Sequence, residues 1–222
     1  MTSGPSGPRP RPGVQEPGAD RWRPAARLTA AAAAVAALAA GCGSGPLPSA
    51  TRTPPALELQ TFDFGGDFEL PAHTGRIFRL ADVRGRAVLL FFGYTYCPDI
   101  CPTTLQTMAE VEKLLGPEKQ RLQTVFVSVD PERDTLPRLK EYVEHFGINA
   151  VAVTAPPAQL DPIVKQYAAY YEKQPSDSAM GYLVDHTSRL YLIDPRGRIR
   201  YLFRYGDEAK AIAAGVGQVL AE

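Results

Sequence analysis

Two cysteines separated by three residues are the part of this sequence best suited to chemistry. Cys97 and Cys101 are two of only three cysteines in a chain of 222 residues, and they follow a continuously apolar run. Such a pair can close a disulfide, present two thiolates to a soft metal ion, or alternate between these states. His186 lies far downstream and is a third candidate ligand. These three side chains are therefore the candidates for metal or redox chemistry.

The elements around the cysteine pair predict where it lies in the fold. The apolar run at residues 87–92 predicts a central strand covered on both faces, and a helix is predicted to begin near Pro102 and to end at Gly116. The pair then lies beyond the carboxyl end of a strand, where open parallel sheets bind ligands. Amide groups at the helix start, together with the helix dipole, predict a lowered pKa for both cysteines. The spacing is wider than the two residues usual in thioredoxin-type catalysts, so it better accommodates an ion while still allowing a disulfide.

The other segments predict alternating strands and helices. A second central strand is predicted at residues 123–129, and short edge strands are predicted at 62–70 and 77–80. The remaining predicted elements are a helix at 136–146, a strand at 150–154, a helix at 160–171, a hairpin of residues 189–193 and 199–204, and a terminal helix from Glu208. This order predicts an α/β, thioredoxin-like fold, in which helices flank a central mixed sheet and a β-hairpin and helix end the chain.

The first part of the chain predicts export and lipid attachment. Basic residues precede an apolar run at 28–40, which is shorter than the ~20 residues that a spanning helix needs and is typical of a signal peptide. Small residues before Cys42 resemble the lipobox of bacterial lipoproteins, whose cysteine is lipidated. We expect a signal peptide at 1–41, a lipidated Cys42 with a flexible tether over 42–57, and one domain at 58–222. That domain would lie on the extracytoplasmic side of the cell membrane, where disulfides can persist. The alternative is an ordinary signal peptide or an uncleaved anchor with an incidental cysteine.

Other residues that could bind ions or partners receive structural interpretations. His73 and His145 belong to no motif, and Met108 has helical spacing with its apolar neighbours, which predicts core packing. Residues 130–134 are predicted to form a turn, with contact to a partner as the alternative. The chain has 24 basic and 24 acidic residues, so its charge gives no reason to expect a nucleic acid partner.

Three motifs, in a fixed order, resemble those of a known family. They are FGYTYCPDICP at residues 92–102, VSVDPERD at residues 127–134, and VDHT at residues 184–187 with YLID at residues 191–194. Together they resemble the SCO/SenC family over about residues 58–222. The resemblance implies a thioredoxin-fold protein at the membrane that binds copper through Cys97, Cys101 and His186. It also implies that the protein helps deliver copper to the dinuclear copper site of cytochrome c oxidase subunit II.

The chemistry of these side chains independently favours copper over zinc. Two thiolates and one imidazole form a soft ligand set suited to Cu(I), and with an added oxygen ligand they can hold Cu(II). A structural zinc site normally has four protein ligands, and no further Cys or His stands in a motif. Asp185 either orients the ring of His186 or is an ordinary solvated carboxylate.

Two other functions remain open from the sequence. The dithiol can act as a thiol–disulfide oxidoreductase that reduces the copper-site cysteines of the oxidase. The chain can also be a peroxide enzyme or redox sensor, although no arginine is evidently dedicated to an attacking thiolate. Copper binding should depend on His186, whereas disulfide reduction need not, and this difference separates the first two functions.

Overall fold

A mixed five-stranded sheet forms the centre of the domain. The computed structural model describes residues 56–176 and 181–222. The strands are β1 (Glu69–Pro71), β2 (Ile77–Arg79), β3 (Ala87–Gly93), β4 (Leu122–Ser128), β5 (Ala150–Val153), β6 (Tyr171–Pro175), β7 (Tyr182–His186), β8 (Leu190–Ile193) and β9 (Ile199–Phe203). The α-helices are α1 (Ile100–Leu115), α2 (Leu136–His145), α3 (Pro157–Gln166) and α4 (Ala209–Leu220), and short 3-10 helices cover Leu80–Val83 and Gly116–Arg121.

The central sheet has the strand order β5-β4-β3-β8-β9. β3, β4 and β5 run parallel, whereas β8 pairs antiparallel with both β3 and β9. Every residue of β3 and β4 is buried, as expected for apolar strands covered on both faces. Helix α1 packs against α4, and α2 packs against β5. The predicted mixed sheet with flanking helices is therefore confirmed, and its most buried strand leads directly into the cysteine segment.

The first predicted edge strand is much shorter in the structure. β1 begins only at Glu69, and β1 and β2 form a small antiparallel sheet of their own. Gly65 and Gly66 have φ values of 93° and 117°, a conformation that interrupts an extended strand and favours glycine. The amide of Gly65 instead donates to the carbonyl of Gln166 at 2.8 Å. The prediction of a strand from residue 62 was therefore wrong.

A second hairpin was missed by the sequence patterns. The helix predicted to reach residue 171 ends at Gln166, and Ala168 adopts a positive φ of 49° that turns the chain out of the helix. Tyr171 then begins β6, which pairs antiparallel with β7 and places Tyr171 opposite His186. These two strands form a separate two-stranded sheet. His186 thus lies at the end of a hairpin outside the central sheet.

The predicted export signals fall outside the part of the chain that the structure describes. The signal peptide at 1–41, Cys42 and the tether up to residue 55 all belong to the region before it. These assignments stay predictions. Within residues 56–176 and 181–222, none of the helices combines the length and the apolar character needed to cross a bilayer.

Candidate metal centre

The two cysteines lie where the central strand β3 turns into helix α1. Cys97 is half-buried in the loop, whereas Cys101 is fully buried in the first turn of the helix. The amide of Cys101 points at the sulfur of Cys97, with an N–Sγ distance of 3.4 Å. Both thiols are free. The start of the helix therefore holds the two sulfurs close together, and its backbone amide donates to the more accessible sulfur, that of Cys97.

His186 completes a cluster of three ligand atoms. Its Nε2 lies 3.4 Å from the Sγ of Cys101, and the three ligand atoms of Cys97, Cys101 and His186 all lie within 4.8 Å of one another. The other ring nitrogen, Nδ1, lies 3.1 Å from the carbonyl oxygen of Thr187. Because a carbonyl only accepts, this contact makes Nδ1 the protonated nitrogen and leaves the lone pair of Nε2 facing the sulfurs.

The plane of the imidazole is fixed by packing rather than by Asp185. The rings of Phe91 and Tyr94 meet the His186 ring edge to face, at centroid distances of 5.9 and 5.7 Å. Asp185 is exposed, as strand alternation requires for the neighbour of an inward-facing residue. Of the two interpretations of Asp185, the solvated carboxylate is the one that the structure supports.

The two thiols have opposite acidities. A hydrogen bond from the Cys101 thiol lowers the pKa of the Cys97 thiol to about 3, with smaller contributions from the backbone amides of Asp99 and Cys101. Burial raises the pKa of the Cys101 thiol well above its usual range. The predicted lowering of the pKa is right for Cys97 and wrong for Cys101. The amide at the helix start donates to the sulfur of Cys97, whereas the sulfur of Cys101 is buried away from solvent.

Gly93 is a residue of the site that the sequence interpretation missed. A Cβ atom at this position would lie 2.8 Å from the Sγ of Cys101 and 2.9 Å from ring carbons of both Phe91 and Phe126. These separations are shorter than any real contact of a Cβ. A glycine at the end of a fully buried strand is a signal of such a close approach. Gly93 therefore leaves the space that the inner sulfur fills.

The turn at residues 130–134 is confirmed, and its two aspartates are buried, whereas Glu132 is exposed. Asp134 accepts hydrogen bonds from the Thr95 amide at 2.9 Å and from the Ser128 hydroxyl at 2.6 Å. Burial raises the pKa of Asp134. The sequence predicted a turn here, with contact to a partner as the alternative. In the structure, the hydrogen bond from the Thr95 amide to Asp134 joins this turn to the start of the cysteine loop.

The remaining histidines and Met108 have structural positions. His73 accepts the Ala152 amide through Nδ1 at 3.0 Å, and His145 is exposed at the end of α2 against Phe146. Met108 is buried in the core, as predicted. The described ranges contain no second group of three His, Cys, Asp or Glu ligand atoms within reach of one ion.

The family of the chain follows from comparison with known proteins. The SCO1/SenC family model matches residues 57–221, which contain the whole cysteine and histidine cluster. The chain belongs to the SCO1/SenC family. A bovine mitochondrial SCO2 homologue is 37% identical over 158 residues, which cover 70% of this chain and 59% of the bovine protein. An SCO2-like protein of Rickettsia felis is 37% identical over 149 residues, which cover 67% of this chain and 73% of that protein.

Solved structures of SCO proteins have the same fold. The structure of Bradyrhizobium japonicum ScoI with copper bound has a TM-score of 0.65 and 33% identity, covering 70% of this chain and 99% of that one. Arabidopsis thaliana ScoI with copper bound gives a TM-score of 0.66 and 31% identity, covering 71% and 98%. The thioredoxin-like fold expected from the sequence is thus confirmed for this SCO1/SenC domain.

The donor set in this chain fits copper by its own chemistry. Two sulfurs and one imidazole nitrogen form a soft, low-coordinate set of the kind that selects Cu(I). A closed zinc site would need a fourth protein ligand. The half-buried Cys97 and His186 face outward from the buried Cys101, so an ion held here would be reachable from one side.

Proposed function

We propose that the protein binds a single copper ion through Cys97, Cys101 and His186 and helps to assemble cytochrome c oxidase. The observation that carries the proposal is the convergence of the three ligand atoms within 4.8 Å. The ScoI structures from Bradyrhizobium japonicum and Arabidopsis thaliana have copper bound. BsSco belongs to the Sco family of cytochrome c oxidase assembly proteins. These relatives support copper as the ion and the oxidase as the destination.

The arrangement of the ligands suits a carrier that gives its ion away. A ligand set of only three protein atoms leaves room for an incoming donor atom, so the ion can pass by stepwise ligand exchange. Cys97 and His186 are the accessible ligands, whereas Cys101 is fully buried behind them. We therefore expect the recipient to displace the accessible ligands first and Cys101 last.

The proposed recipient and location come from the sequence patterns. Subunit II of the oxidase, in its copper-free form, is the proposed recipient because the three motifs resemble the SCO/SenC family. The basic and apolar N-terminal pattern before Cys42 supports a lipid anchor on the extracytoplasmic side of the cell membrane. A tethered domain at that surface would remain close to a membrane-embedded oxidase.

Copper titration of the purified full-length chain tests the proposal. Anaerobic competition with a Cu(I) chelator should give a single tightly held ion in the reduced protein. His186→Ala should weaken binding severely and still allow Cys97 and Cys101 to form a disulfide. His145→Ala removes an exposed histidine at the end of α2, and this variant should bind copper like the wild type. Equal copper retention by His186→Ala would refute the proposed ligand set.

A second candidate function, thiol–disulfide exchange, is favoured by the unequal cysteines. The accessible Cys97 has a thiolate-favouring environment, and the buried Cys101 is a suitable resolving thiol. The Cys97 thiolate would attack a partner disulfide and release one partner thiolate. Cys101 would then attack the Cys97 sulfur and release the second, so the partner is reduced and this pair is oxidised. A small-molecule or protein thiol would have to reduce the pair again.

The two candidate functions differ in whether they require His186. Reduction of a subunit II disulfide in the absence of copper, at the same rate in the wild type and in His186→Ala, would support exchange as a function. No reduction of that disulfide at any imposed potential would exclude it. Neither outcome tests copper binding by the wild type, which the chelator competition measures separately.

A further inference from the structure

Arg133, in the turn between β4 and α2, touches both halves of the metal centre. Its guanidinium lies 3.6 Å from the ring centroid of Tyr182, the first residue of β7. The same group lies 4.8 Å from the ring of Tyr96 and 5.7 Å from the ring of Tyr94, both in the cysteine loop. One side chain thus packs between the loop that carries the cysteines and the strand that carries the histidine.

Asp130 completes the contact. Its carboxylate is fully buried, pairs with the guanidinium of Arg133 and accepts a hydrogen bond from the Tyr182 hydroxyl at 2.7 Å. Arg133 also donates from Nη1 to the Tyr182 carbonyl oxygen at 2.9 Å. Asp130, Arg133 and Tyr182 form what we name the Arg133 cluster. A buried charge pair is stabilising only when further hydrogen bonds satisfy its remaining donors and acceptors, and Tyr182 of β7 supplies two such bonds.

The β6–β7 hairpin depends on such contacts because it is a sheet of only two strands. An isolated two-stranded hairpin is marginally stable at best, so its placement must come from packing on the domain. At the His186 end, the Tyr171 hydroxyl donates to the carboxylate of Asp161 on α3 at 2.6 Å. In the middle, the Val184 amide donates to the Tyr94 hydroxyl at 3.2 Å. The Arg133 cluster holds the other end.

We propose that Arg133 is a positioning residue for His186: it fixes β7 against the cysteine loop, so that the imidazole stays within reach of the two sulfurs. This inference rests on the proposed copper function. It gives the second sequence motif a role beyond turn formation, because that motif supplies both Asp130 and Arg133. Since other contacts also hold β7, loss of Arg133 should weaken copper binding without abolishing it.

The primary test is Cu(I) affinity of the full-length chain, measured by chelator competition. Arg133→Met removes the guanidinium and should weaken binding about tenfold, within the 10- to 100-fold range usual for residues that orient a metal ligand. Arg138→Met is the matched control. Arg138 lies 4.4 Å from the same Tyr96 ring but donates to the Thr95 hydroxyl, in the cysteine loop. The control should bind copper like the wild type.

A double variant separates positioning from simple electrostatics. If Arg133 acts through His186, Arg133→Met should cause no further loss of affinity in a His186→Ala background. If the arginine only stabilises the thiolates by its charge, the loss will be equal in both backgrounds, and the inference will be overturned. Copper retention by His186→Ala alone would refute the proposed ligand set instead, which keeps the two failures distinguishable.

A second variant covers the case in which Arg133→Met leaves Asp130 unpaired and does not fold. Tyr182→Leu removes the ring and hydroxyl contacts but leaves the Asp130–Arg133 pair in place. It should also weaken Cu(I) binding about tenfold. In the copper-free protein, hydrogen exchange of the Val184 amide should be faster in either variant. Wild-type affinity in Tyr182→Leu, or unchanged exchange at Val184, would overturn the inference.

Discussion

The two halves of the metal centre are built in different ways. The cysteine half extends from β3, a strand with no exposed residue, and its inner thiol is itself part of the core. The histidine half lies on a two-stranded hairpin that is attached by a few side-chain contacts. The difference suggests that the sulfurs are held in a rigid position, whereas the imidazole position depends on how well the hairpin is fixed to the domain.

The largest expected effect is a difference in reactivity between the accessible and the buried thiol of the cysteine half. In the reduced, copper-free protein, iodoacetamide should label Cys97 and leave Cys101 unmodified, because Cys101 is buried and its pKa is raised. The thiolate is the reacting form, and the pKa of Cys97 is about 3. Its labelling rate should therefore stay flat between about pH 5 and about pH 8, whereas an ordinary cysteine has a pKa of ≈ 8.5 and its rate would rise steeply.

Peptide mass spectrometry after timed labelling measures this contrast. The chain unfolded in urea is the control, and there both cysteines should react with the ordinary pH dependence. Equal labelling of the two cysteines in the folded protein would mean that the inner sulfur is not part of the core, and the contrast between the two halves would lose its basis.

Gly93→Ala tests the rigidity of the cysteine half. The new Cβ would collide with the Cys101 sulfur and two phenylalanine rings, and overpacking of this kind costs about 1–3 kcal/mol. We expect a lower free energy of unfolding in urea and weaker Cu(I) binding. Gly217→Ala is the matched control, because a Cβ there meets no atom within 4 Å and alanine favours the helix. If both variants were equally stable, the core would be able to move away from Cys101.

The same contrast explains what the sequence could and could not predict. β3 and β4 are continuous apolar runs, so the sheet and the position of Cys97 at its edge follow from local patterns. β6 is a mostly polar segment, and the apolar spacing of α3 continues to Tyr170, a residue that is 57% exposed. The local pattern therefore extended the predicted helix past Gln166, to the first residue of β6. No local signal marked the hairpin that carries His186.

Residues whose roles depend on distant parts of the chain were also missed. The space left by Gly93 is defined by Phe126, far along the chain, and the raised pKa of Cys101 results from burial by the whole core. Arg133 meets Tyr182 only because the hairpin folds over the turn. The resemblance to the family predicted which three side chains come together. It did not predict what holds them there, since that depends on contacts between segments.

Tyr94→Phe tests the link between the two halves. The Tyr94 hydroxyl accepts the buried Val184 amide, while its ring packs on His186. Phenylalanine keeps the ring and removes only the acceptor, so we expect a loss of stability of about 1 kcal/mol. Hydrogen exchange at Val184 should be faster, and exchange in β3 should change only by the global loss of stability.

Tyr201→Phe, on β9, is a matched control for loss of a tyrosine hydroxyl outside the site. Equal acceleration in β3 and at Val184, beyond that global loss, would indicate that the hairpin and the sheet open as one unit.

The smallest expected effect concerns the exposed ion pair between Lys173 of β6 and Glu132. This pair also joins the hairpin to the turn that contains Arg133, but its side chains are 40% and 66% exposed, and such pairs contribute little because water and salt screen them. Lys173→Gln removes this pair and a cation that lies 4.8 Å from the Tyr182 ring, both at an exposed site, so it should lower the melting temperature and the Cu(I) affinity far less than Tyr182→Leu. A loss of affinity as large as that of Tyr182→Leu would mean that charge on the surface, rather than the buried Arg133 cluster, holds the histidine half in place.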